Sequence, residues 1–247
     1  MKLHSLICVG MFAAAGAALG EDVISGTTCA AMAVPATDTY TLIAVPFKDV
    51  GGTEAKVKVA DVVKTVGLKR DSQLFYYTGE NYYAWKLDVD GGTWRGAQVA
   101  YQTNGVAAVT QSPADDYQVP CGATLWLQRA EGSDESVILY GEETAVPKPT
   151  LTAKSVQLIS NPKATDYTFT GEGVADGDMI MIPLDNGTQT AYTYKTGKGW
   201  GQYKQTADKI PGTAIPLSKF ETATVTIPGG RGAWYVSKGE TVPSIAW

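Results

Sequence analysis

The sequence predicts an all-β protein built from two similar modules in tandem. Its 247 residues include 27 glycines, 13 tyrosines and 6 tryptophans, a composition that favours strands and tight turns over helices. Residues 190–195 and 222–227 alternate apolar and polar side chains with the period of two that half-buried strands show. In addition, a set of short motifs occurs twice in the same order.

The first twenty residues have the features of a signal peptide. Lys2 and His4 form a short basic start, residues 6–19 are apolar, and Ala18-Leu19-Gly20 before Glu21 has the small-x-small form of a cleavage site. The apolar run is too short for a transmembrane helix. We therefore expect secretion to the periplasm, the outer surface or the extracellular space, and a mature chain with no transmembrane span.

Four sequence features recur with near-equal spacing. Each copy has an apolar strand that ends in proline, an aspartate before a hydrophobic strand, a Gly-x-Trp turn, and a late strand that follows proline and carries a second tryptophan. Duplication of one module explains this order better than the general reuse of strand and turn motifs. The paired residues are Pro46 and Pro162, Asp71 and Asp178, Trp94 and Trp200, and Trp126 and Trp234.

These repeats divide the chain into segments. Pro147 and Pro149 stiffen the connection between the copies and oppose regular ladder pairing. Each module is expected to be a small β-sandwich or barrel-like unit, with one optional short helix at residues 57–66 of the first. The segments are a signal peptide (1–20), an N-terminal arm (21–39), β-module 1 (40–143), a proline-containing linker (144–152) and β-module 2 (153–247).

The motifs resemble a repeated β-module of secreted and surface proteins from bacteria of the Verrucomicrobia–Planctomycetes type. The second copy fits this pattern well, with Gly177-Asp178, Trp200 and residues 228–234. The first copy departs from it, because Arg70 precedes the aspartate and Cys121 replaces a glycine. The resemblance implies an envelope protein and carries no catalytic or binding residue over to this chain.

Residue types that are missing exclude several kinds of chemistry. His4 is the only histidine, so the mature chain cannot form a Ser-His-Asp centre, a Cys-His centre or a histidine-containing zinc site. No phosphate-binding glycine loop or dinucleotide motif occurs. We expect no enzymatic activity, no cofactor and no metal. Nucleic acid is not an expected partner, because residues 21–150 hold seventeen Asp and Glu against ten Lys and Arg.

Two short patterns are similar to catalytic or metal-binding motifs, but turns explain them better. Ser160 and Lys163 match Ser-x-x-Lys, a motif that begins a helix in serine acyltransferases, whereas here it closes a strand and contains Pro162. Residues 88–92 are similar to the start of a calcium loop, but Val99 stands where that loop needs a bidentate glutamate.

Clustered carboxylates leave an enzymatic alternative open. Asp115 with Asp116, and Glu131 with Asp134 and Glu135, could hydrolyse a glycoside if two of these groups lay about 5–9 Å apart. Solvated loops are the simpler interpretation.

Aromatic residues are the remaining binding candidates. Sugar rings stack on Tyr and Trp, which also make strong protein contacts. Neighbours along residues 82–85 point to opposite faces of a strand, so some of these rings must lie outside the core of their own sheet. Trp126 and Trp234 are expected in the core. The candidate ligand-stacking residues are Tyr77, Tyr83, Trp85, Tyr192, Tyr194 and Tyr203.

The mature chain has two cysteines, Cys29 and Cys121. Because export leads to an oxidising compartment, we expect a disulfide that pins the N-terminal arm to the first module. Two buried thiols, or a bond between chains, are the alternatives.

The expected function is that of an exported, non-enzymatic structural or adhesive component of the bacterial cell envelope, with other envelope proteins or polysaccharide as partners. The first alternative is a carbohydrate-binding module that uses exposed Tyr and Trp. The second is a carboxylate-dependent hydrolase.

Overall fold

A computed structural model describes residues 22–24, 27–36, 40–78, 81–101, 107–111, 117–184, 187–209 and 216–245. The predicted signal peptide lies outside these ranges. In the described part the chain is all-β apart from one short helix. The elements of the first half are β1 (Asp22–Ile24), β2 (Thr27–Pro35), β3 (Tyr40–Ala44), β4 (Lys56–Lys58), α1 (Val59–Val62), β5 (Val63–Lys64), β6 (Gln73–Tyr77), β7 (Tyr82–Leu87), β8 (Trp94–Tyr101), β9 (Ala107–Gln111), β10 (Gln118–Pro120), β11 (Thr124–Gln128) and β12 (Ser136–Glu142).

The second half forms β13 (Val156–Ser160), β14 (Tyr167–Thr168), β15 (Met179–Pro183), β16 (Gln189–Lys195), β17 (Gly199–Lys209), β18 (Pro216–Thr222), β19 (Thr226–Ile227) and β20 (Gly232–Val236). Each half contains one six-stranded antiparallel sheet. The strand orders are β3-β11-β6-β7-β8-β9 and β13-β20-β15-β16-β17-β18. Matched in chain order, the strands occupy the same places in both sheets. The paired ribbons β4-β10 and β14-β19 also correspond.

Backbone hydrogen bonds repeat between the two halves as well. The Gly122 N–H donates to the Val45 carbonyl at 2.8 Å, and the Gly230 N–H donates to the Asn161 carbonyl at 3.0 Å. Both glycines have positive φ, 86° and 69°, so the turn that precedes β11 and the turn that precedes β20 have the same form. Duplication of one module stays a prediction, and superposition of the two halves is its test.

The predicted match of Asp71 with Asp178 is wrong by one residue. Trp126 lies opposite Phe75 in one sheet and Trp234 lies opposite Met181 in the other. By this register Ser72 corresponds to Asp178, and Asp71 corresponds to the glycine before Asp178. That glycine and Asp71 share a positive φ, 86° and 75°. The alignment of the two sequence motifs paired two aspartates because their side chains are the same. In the structure, the residues that correspond are the two that share a positive φ.

Ser72 and Asp178 have different side chains, but both accept a hydrogen bond from a backbone N–H at corresponding positions. The Ser72 hydroxyl accepts from the Ala130 N–H at 2.9 Å, and the Asp178 carboxyl group accepts from the Lys238 N–H at 2.7 Å. Asp178 is fully buried and also accepts from the hydroxyl of Tyr235. Buried polar groups of this kind are retained where their partners are complete.

The first core lies between two sheets. Leu74 and Leu125 come from the six-stranded sheet, and Val34 and Leu139 come from the four-stranded sheet β1-β2-β12-β5. The N-terminal arm therefore contributes a strand, because β2 pairs with β12 over seven residues. The second core contains residues from the other six-stranded sheet together with Phe169, Val225 and Ile245 from outside it.

The helix is shorter than predicted. Only residues 59–62 are helical, and their neighbours on both sides form short strands. Val59, Val62 and Val63 are buried as expected, but Val66 is 83% exposed. β-Branched residues resist a longer helix because their side chains lose freedom against the preceding turn.

Trp126 and Trp234 do not belong to either core, so that prediction is wrong. In β11 the buried neighbours are Leu125 and Leu127, and the period of two turns Trp126 to the opposite face. Trp234 alternates with buried Tyr235 in the same way. The two indole rings instead contact each other between the modules, with centroids 5.8 Å apart.

Two hydrogen bonds flank this ring contact. The Ala44 N–H donates to the Gly230 carbonyl at 2.8 Å, and the Ser160 hydroxyl donates to the Gly122 carbonyl at 2.7 Å. Ala44 corresponds to Ser160, and Gly122 corresponds to Gly230. Each module thus presents the same positions to the other, which is the reciprocal pattern of a two-fold interface.

We predict that Trp126 and Trp234 are energetically coupled. In a double-mutant cycle of W126A and W234A, measured by urea denaturation, the coupling free energy should be about 0.5–1.5 kcal/mol, as for other aromatic pairs. Trp94 and Trp200 provide the matched control, since each is buried in its own core. W94F and W200F should be additive within about 0.5 kcal/mol. Additivity of the alanine pair would contradict the interface.

Candidate binding surfaces

Two of the six candidate aromatics are buried in the first core. Trp85 is 1% exposed and Tyr83 is 9% exposed. Their rings form a cluster with Tyr117, whose ring centroid lies 4.2 Å from that of Tyr83 and 5.4 Å from that of Trp85. Burial raises the pKa of the Tyr117 hydroxyl. A ligand cannot stack on Trp85 or Tyr83 without opening the core.

Two further candidates pack against the second core. Tyr192 and Tyr194 are half-buried and contact its buried residues. The Tyr194 ring meets Trp200 edge to face, with centroids 5.4 Å apart. The Trp200 indole N–H in turn donates to the Thr170 carbonyl at 3.0 Å. All four of these candidates therefore pack against a core, and Trp85 and Tyr83 are too buried for a ligand to reach.

Tyr77 and Tyr203 lie on the outer faces of the two sheets. Tyr77 stacks on Tyr82, its opposite residue in β7, at a centroid distance of 4.4 Å. Phe75 is two residues from Tyr77 along β6 and so shares its face. Phe75 contacts Tyr40 of β3 at 5.7 Å, and Tyr40 is 53% exposed.

Sequence reasoning missed Tyr40 and Phe75, and it placed some rings of residues 82–85 outside the core without assigning Tyr82 to the exposed face. The alternation of residues 73–77 was a usable signal, because it puts Phe75 and Tyr77 on one face and Leu74 on the other. The strand order that brings Tyr40 to this face was not visible in the sequence. We call the surface formed by Tyr40, Phe75, Tyr77 and Tyr82 the outer aromatic face of the first module.

A second aromatic surface lies on the β16–β18 part of the second sheet. Tyr203 of β17 and Phe220 of β18 are opposite each other in the ladder, and their rings meet edge to face at 5.4 Å. The Lys195 ammonium lies 4.7 Å from the Tyr203 centroid and 5.0 Å from the Phe220 centroid. Tyr203, Phe220 and Lys195 are called the lysine–aromatic patch below.

The junction of the modules forms two grooves. One has a volume of about 580 Å³ and is lined by Tyr76, Tyr77, Trp234 and residues of the linker, with no Asp or Glu in its lining. The other, of about 450 Å³, has Glu143 as its one carboxylate. Neither groove has the two carboxylates that glycoside hydrolysis requires.

Contacts with lysine and arginine residues hold the acidic turn at residues 88–92. Asp88 pairs with Arg95 at 2.6 Å, and Asp90 accepts from the Arg70 N–H at 2.8 Å and pairs with Lys69 at 3.1 Å. The Arg95 hydrogen bond lowers the pKa of Asp88, and the Arg70 N–H lowers the pKa of Asp90. Within the described ranges no three His, Cys, Asp or Glu residues gather as a metal site would require.

The other acidic candidates differ in what the structure says of them. Asp115 and Asp116 lie outside the described residues. Glu131, Asp134 and Glu135 lie in an exposed loop between β11 and β12.

Ser160 and Lys163 form no nucleophile–base pair. The Ser160 hydroxyl donates to the Gly122 carbonyl of the other module. Asn161 follows it, and its side-chain amide donates to the Ile227 carbonyl at 3.0 Å. Ser160 thus forms a hydrogen bond between the modules, and Asn161 holds the turn that follows β13.

Cys29 and Cys121 are not joined by a disulfide, so that prediction is wrong. Cys29 lies in β2 opposite Glu142 of β12, whereas Cys121 is buried in the turn between β10 and β11. The arm is held to the module by the β2–β12 ladder rather than by a covalent bond. Burial raises the pKa of the Cys121 thiol to about 11.

No protein-family model, no curated protein and no solved structure matches this chain. Of the helical residues that the structure describes, none belongs to a helix long and apolar enough to cross a membrane.

We predict that the mature chain contains two thiols. After unfolding in denaturant without reductant, iodoacetamide should add two alkyl groups per chain, at Cys29 and Cys121, as read by mass spectrometry. In the native protein near pH 8 the Cys121 site should react far more slowly, because its thiolate is scarce at a pKa of about 11. A chain that takes up alkyl groups only after reduction would contradict this.

We also predict a much larger loss of stability for a core aromatic than for a surface aromatic. W85A should lower the free energy of unfolding by about 3–5 kcal/mol, because it empties a packed site. Y203A should lower it by about 1 kcal/mol or less, since its ring is half exposed. Urea denaturation of both variants measures the difference, and equal losses would contradict the assignment of Tyr203 to the surface.

Proposed function

We propose that the protein is an exported, non-enzymatic adhesive component of the bacterial cell envelope that contacts polysaccharide. The observation that carries this proposal is the aromatic character of the outer sheet faces. An antiparallel sheet with one buried face ordinarily presents polar side chains on the other. Here Tyr40, Phe75, Tyr77 and Tyr82 occupy that position in the first module, and Tyr203 and Phe220 do so in the second.

The outer aromatic face suits a sugar ligand. Its rings are held by ring contacts at 4.4 Å and 5.7 Å, so little conformational freedom is lost when a pyranose ring stacks on them. Gln73, Lys86 and Gln128 occupy the same face by strand register with Tyr40. Their amide and ammonium groups can bind sugar hydroxyls.

The fusion of the modules also supports an adhesive role. The Trp126–Trp234 contact and the two flanking hydrogen bonds connect the sheets at their outer faces. Two contact surfaces on one connected body gain avidity when both reach the same polymer, without any new contact.

Binding to insoluble polysaccharides tests the proposal. Purified mature protein should sediment with peptidoglycan or another insoluble glycan of the envelope, and Y77A/Y82A should reduce the bound fraction. Where bases of single-stranded nucleic acid stack on aromatic side chains, removing one ring costs about 1–3 kcal/mol, so the loss of two rings should weaken binding by about thirtyfold or more. V66A is the matched control, because Val66 is exposed but lies away from the aromatic face.

A broad glycosidase and esterase screen on the same preparation tests the absence of catalysis. We expect no turnover. Turnover that one Asp or Glu substitution abolishes would contradict the proposal, as would a Y77A/Y82A protein that binds every glycan as the unmodified protein does.

A further inference from the structure

We propose that the lysine–aromatic patch of the second module binds an acidic sugar unit of a polysaccharide, with Tyr203 stacking on the sugar ring and Lys195 pairing with its carboxylate. This inference rests on the proposed polysaccharide contact and assigns it a second site and a ligand class.

The sheet builds this patch from three neighbouring strands. Lys195 ends β16, and Tyr203 and Phe220 face each other across β17 and β18. Gly201 permits the arrangement, since a Cβ there would stand 2.7 Å from the Phe220 ring. The Phe220 ring can therefore lie over the backbone of β17 and support Tyr203 from the side. Tyr203 remains 53% exposed, which leaves ring surface for a ligand.

Lys195 carries the charge at this site. Its ammonium lies within 5.0 Å of both ring centroids, a position that ring quadrupoles favour. In the described part of the chain it makes no ion pair, whereas Lys204 pairs with Glu221 at 2.9 Å. A ligand carboxylate would thus find a positioned cation whose charge no carboxylate of the described residues neutralises.

The surrounding charge favours an anionic polymer. Residues 195–222 contain five lysines and only two acids, Asp208 and Glu221. Five lysines against two acids give this ribbon a net charge of +3, whereas residues 21–150 hold seventeen Asp and Glu against ten Lys and Arg. A basic ribbon raises the local concentration of a polyanion and its association rate.

An acidic sugar matches the patch better than a nucleic acid. One uronic acid unit carries an apolar ring face and a carboxylate in a single residue, which fits one tyrosine beside one lysine. Single-stranded nucleic acid is held by a cationic groove that follows several phosphates along with stacked bases. The net acidity of the chain opposes that mode.

The corresponding position in the first module has the opposite charge. Leu87 and Tyr194 occupy the same place, because Leu87 lies opposite Trp94 and Tyr194 lies opposite Trp200. Asp88 therefore corresponds to Lys195. The first module cannot offer this cation, so the site belongs to the second module alone.

Titration of the intact mature protein with alginate, a polyuronate, tests the inference. Carboxyl-reduced alginate, which keeps the backbone and loses the charge, should bind at least about tenfold more weakly, because it cannot form a charge-assisted hydrogen bond with the Lys195 ammonium. K195M and Y203A should each lose about tenfold in alginate affinity. The affinity of K195M should also depend less on salt.

K198M is the matched control. Lys198 lies in the adjacent turn and its loss changes the net charge equally, so K198M should bind alginate within about twofold of the unmodified protein. A thermal melt verifies that each variant is folded. Equal losses in K195M and K198M would overturn the inference, because general charge would then explain binding.

Three other outcomes also overturn it: alginate affinity unchanged in K195M, equal affinity for carboxyl-reduced alginate, or binding to single-stranded DNA that depends on Lys195 and is tighter than binding to alginate. Failure here is distinguishable from failure of the proposed function. If alginate does not bind but Y77A/Y82A still weakens binding to an insoluble glycan, only this site is wrong. If no polysaccharide binds, both proposals are wrong.

Discussion

The contact between Trp126 and Trp234 determines how the rest of the molecule is presented. The two rings come from corresponding positions of corresponding strands, so the modules meet through like surfaces. In a reciprocal interface of this kind, each residue that one module contributes has its counterpart contributed by the other. Both copies of the surface are then used, so the arrangement forms a closed pair. The junction also determines which parts of the two outer sheet faces stay exposed. The outer faces are covered where Trp126 and Trp234 meet, while Tyr40, Tyr82 and Tyr203 on the same sheets stay exposed.

Each module holds its first long hairpin by a buried polar group at the same backbone position. In the second module, the Asp178 carboxyl group accepts hydrogen bonds from Tyr235, Lys238 and Ala175. The pKa of Tyr235 is raised, mainly by burial and to a smaller extent by its hydrogen bond to Asp178. In the first module, a serine hydroxyl is sufficient. The constraint that both satisfy is a chain reversal at positive φ just before a buried strand, where an unpaired backbone N–H would cost about 1–3 kcal/mol. Different side chains meet the same constraint, which is why the aspartates misled the sequence alignment.

The sequence predicted the fold class because strand periodicity and turn residues are local signals. It also predicted that Trp94 and Trp200 would occupy like places, and both are buried at the starts of corresponding strands. It could not predict which face of a strand is the core. Tyr83 and Tyr82 are adjacent and chemically alike, yet one is buried and the other exposed, and only the strands packed on the sheet decide between them. The same limit explains Trp126 and Trp234, which were expected in a core and lie between modules. The disulfide prediction was wrong for another reason. Export to an oxidising compartment, which is itself a prediction, would allow two thiols to oxidise, but it does not bring their Cα atoms within the distance that a disulfide needs.

The outer faces of the two six-stranded sheets carry their aromatic residues at different positions. Tyr77 and Tyr82 of the first sheet correspond, by register, to Pro183 and Gln189 of the second. Tyr203 and Phe220 of the second correspond to Ala97 and Gln111 of the first. Each sheet therefore carries an aromatic pair at a place where the other has none. Both keep one core tryptophan, Trp94 or Trp200, and one junction tryptophan, Trp126 or Trp234. Packing explains residues that both modules share, because both must fold and pair. It does not require exposed rings at unlike positions, and clustered exposed apolar groups are typical of interaction sites. Under the proposed function, the six-stranded sheet that both modules share is one scaffold that presents two different contact surfaces.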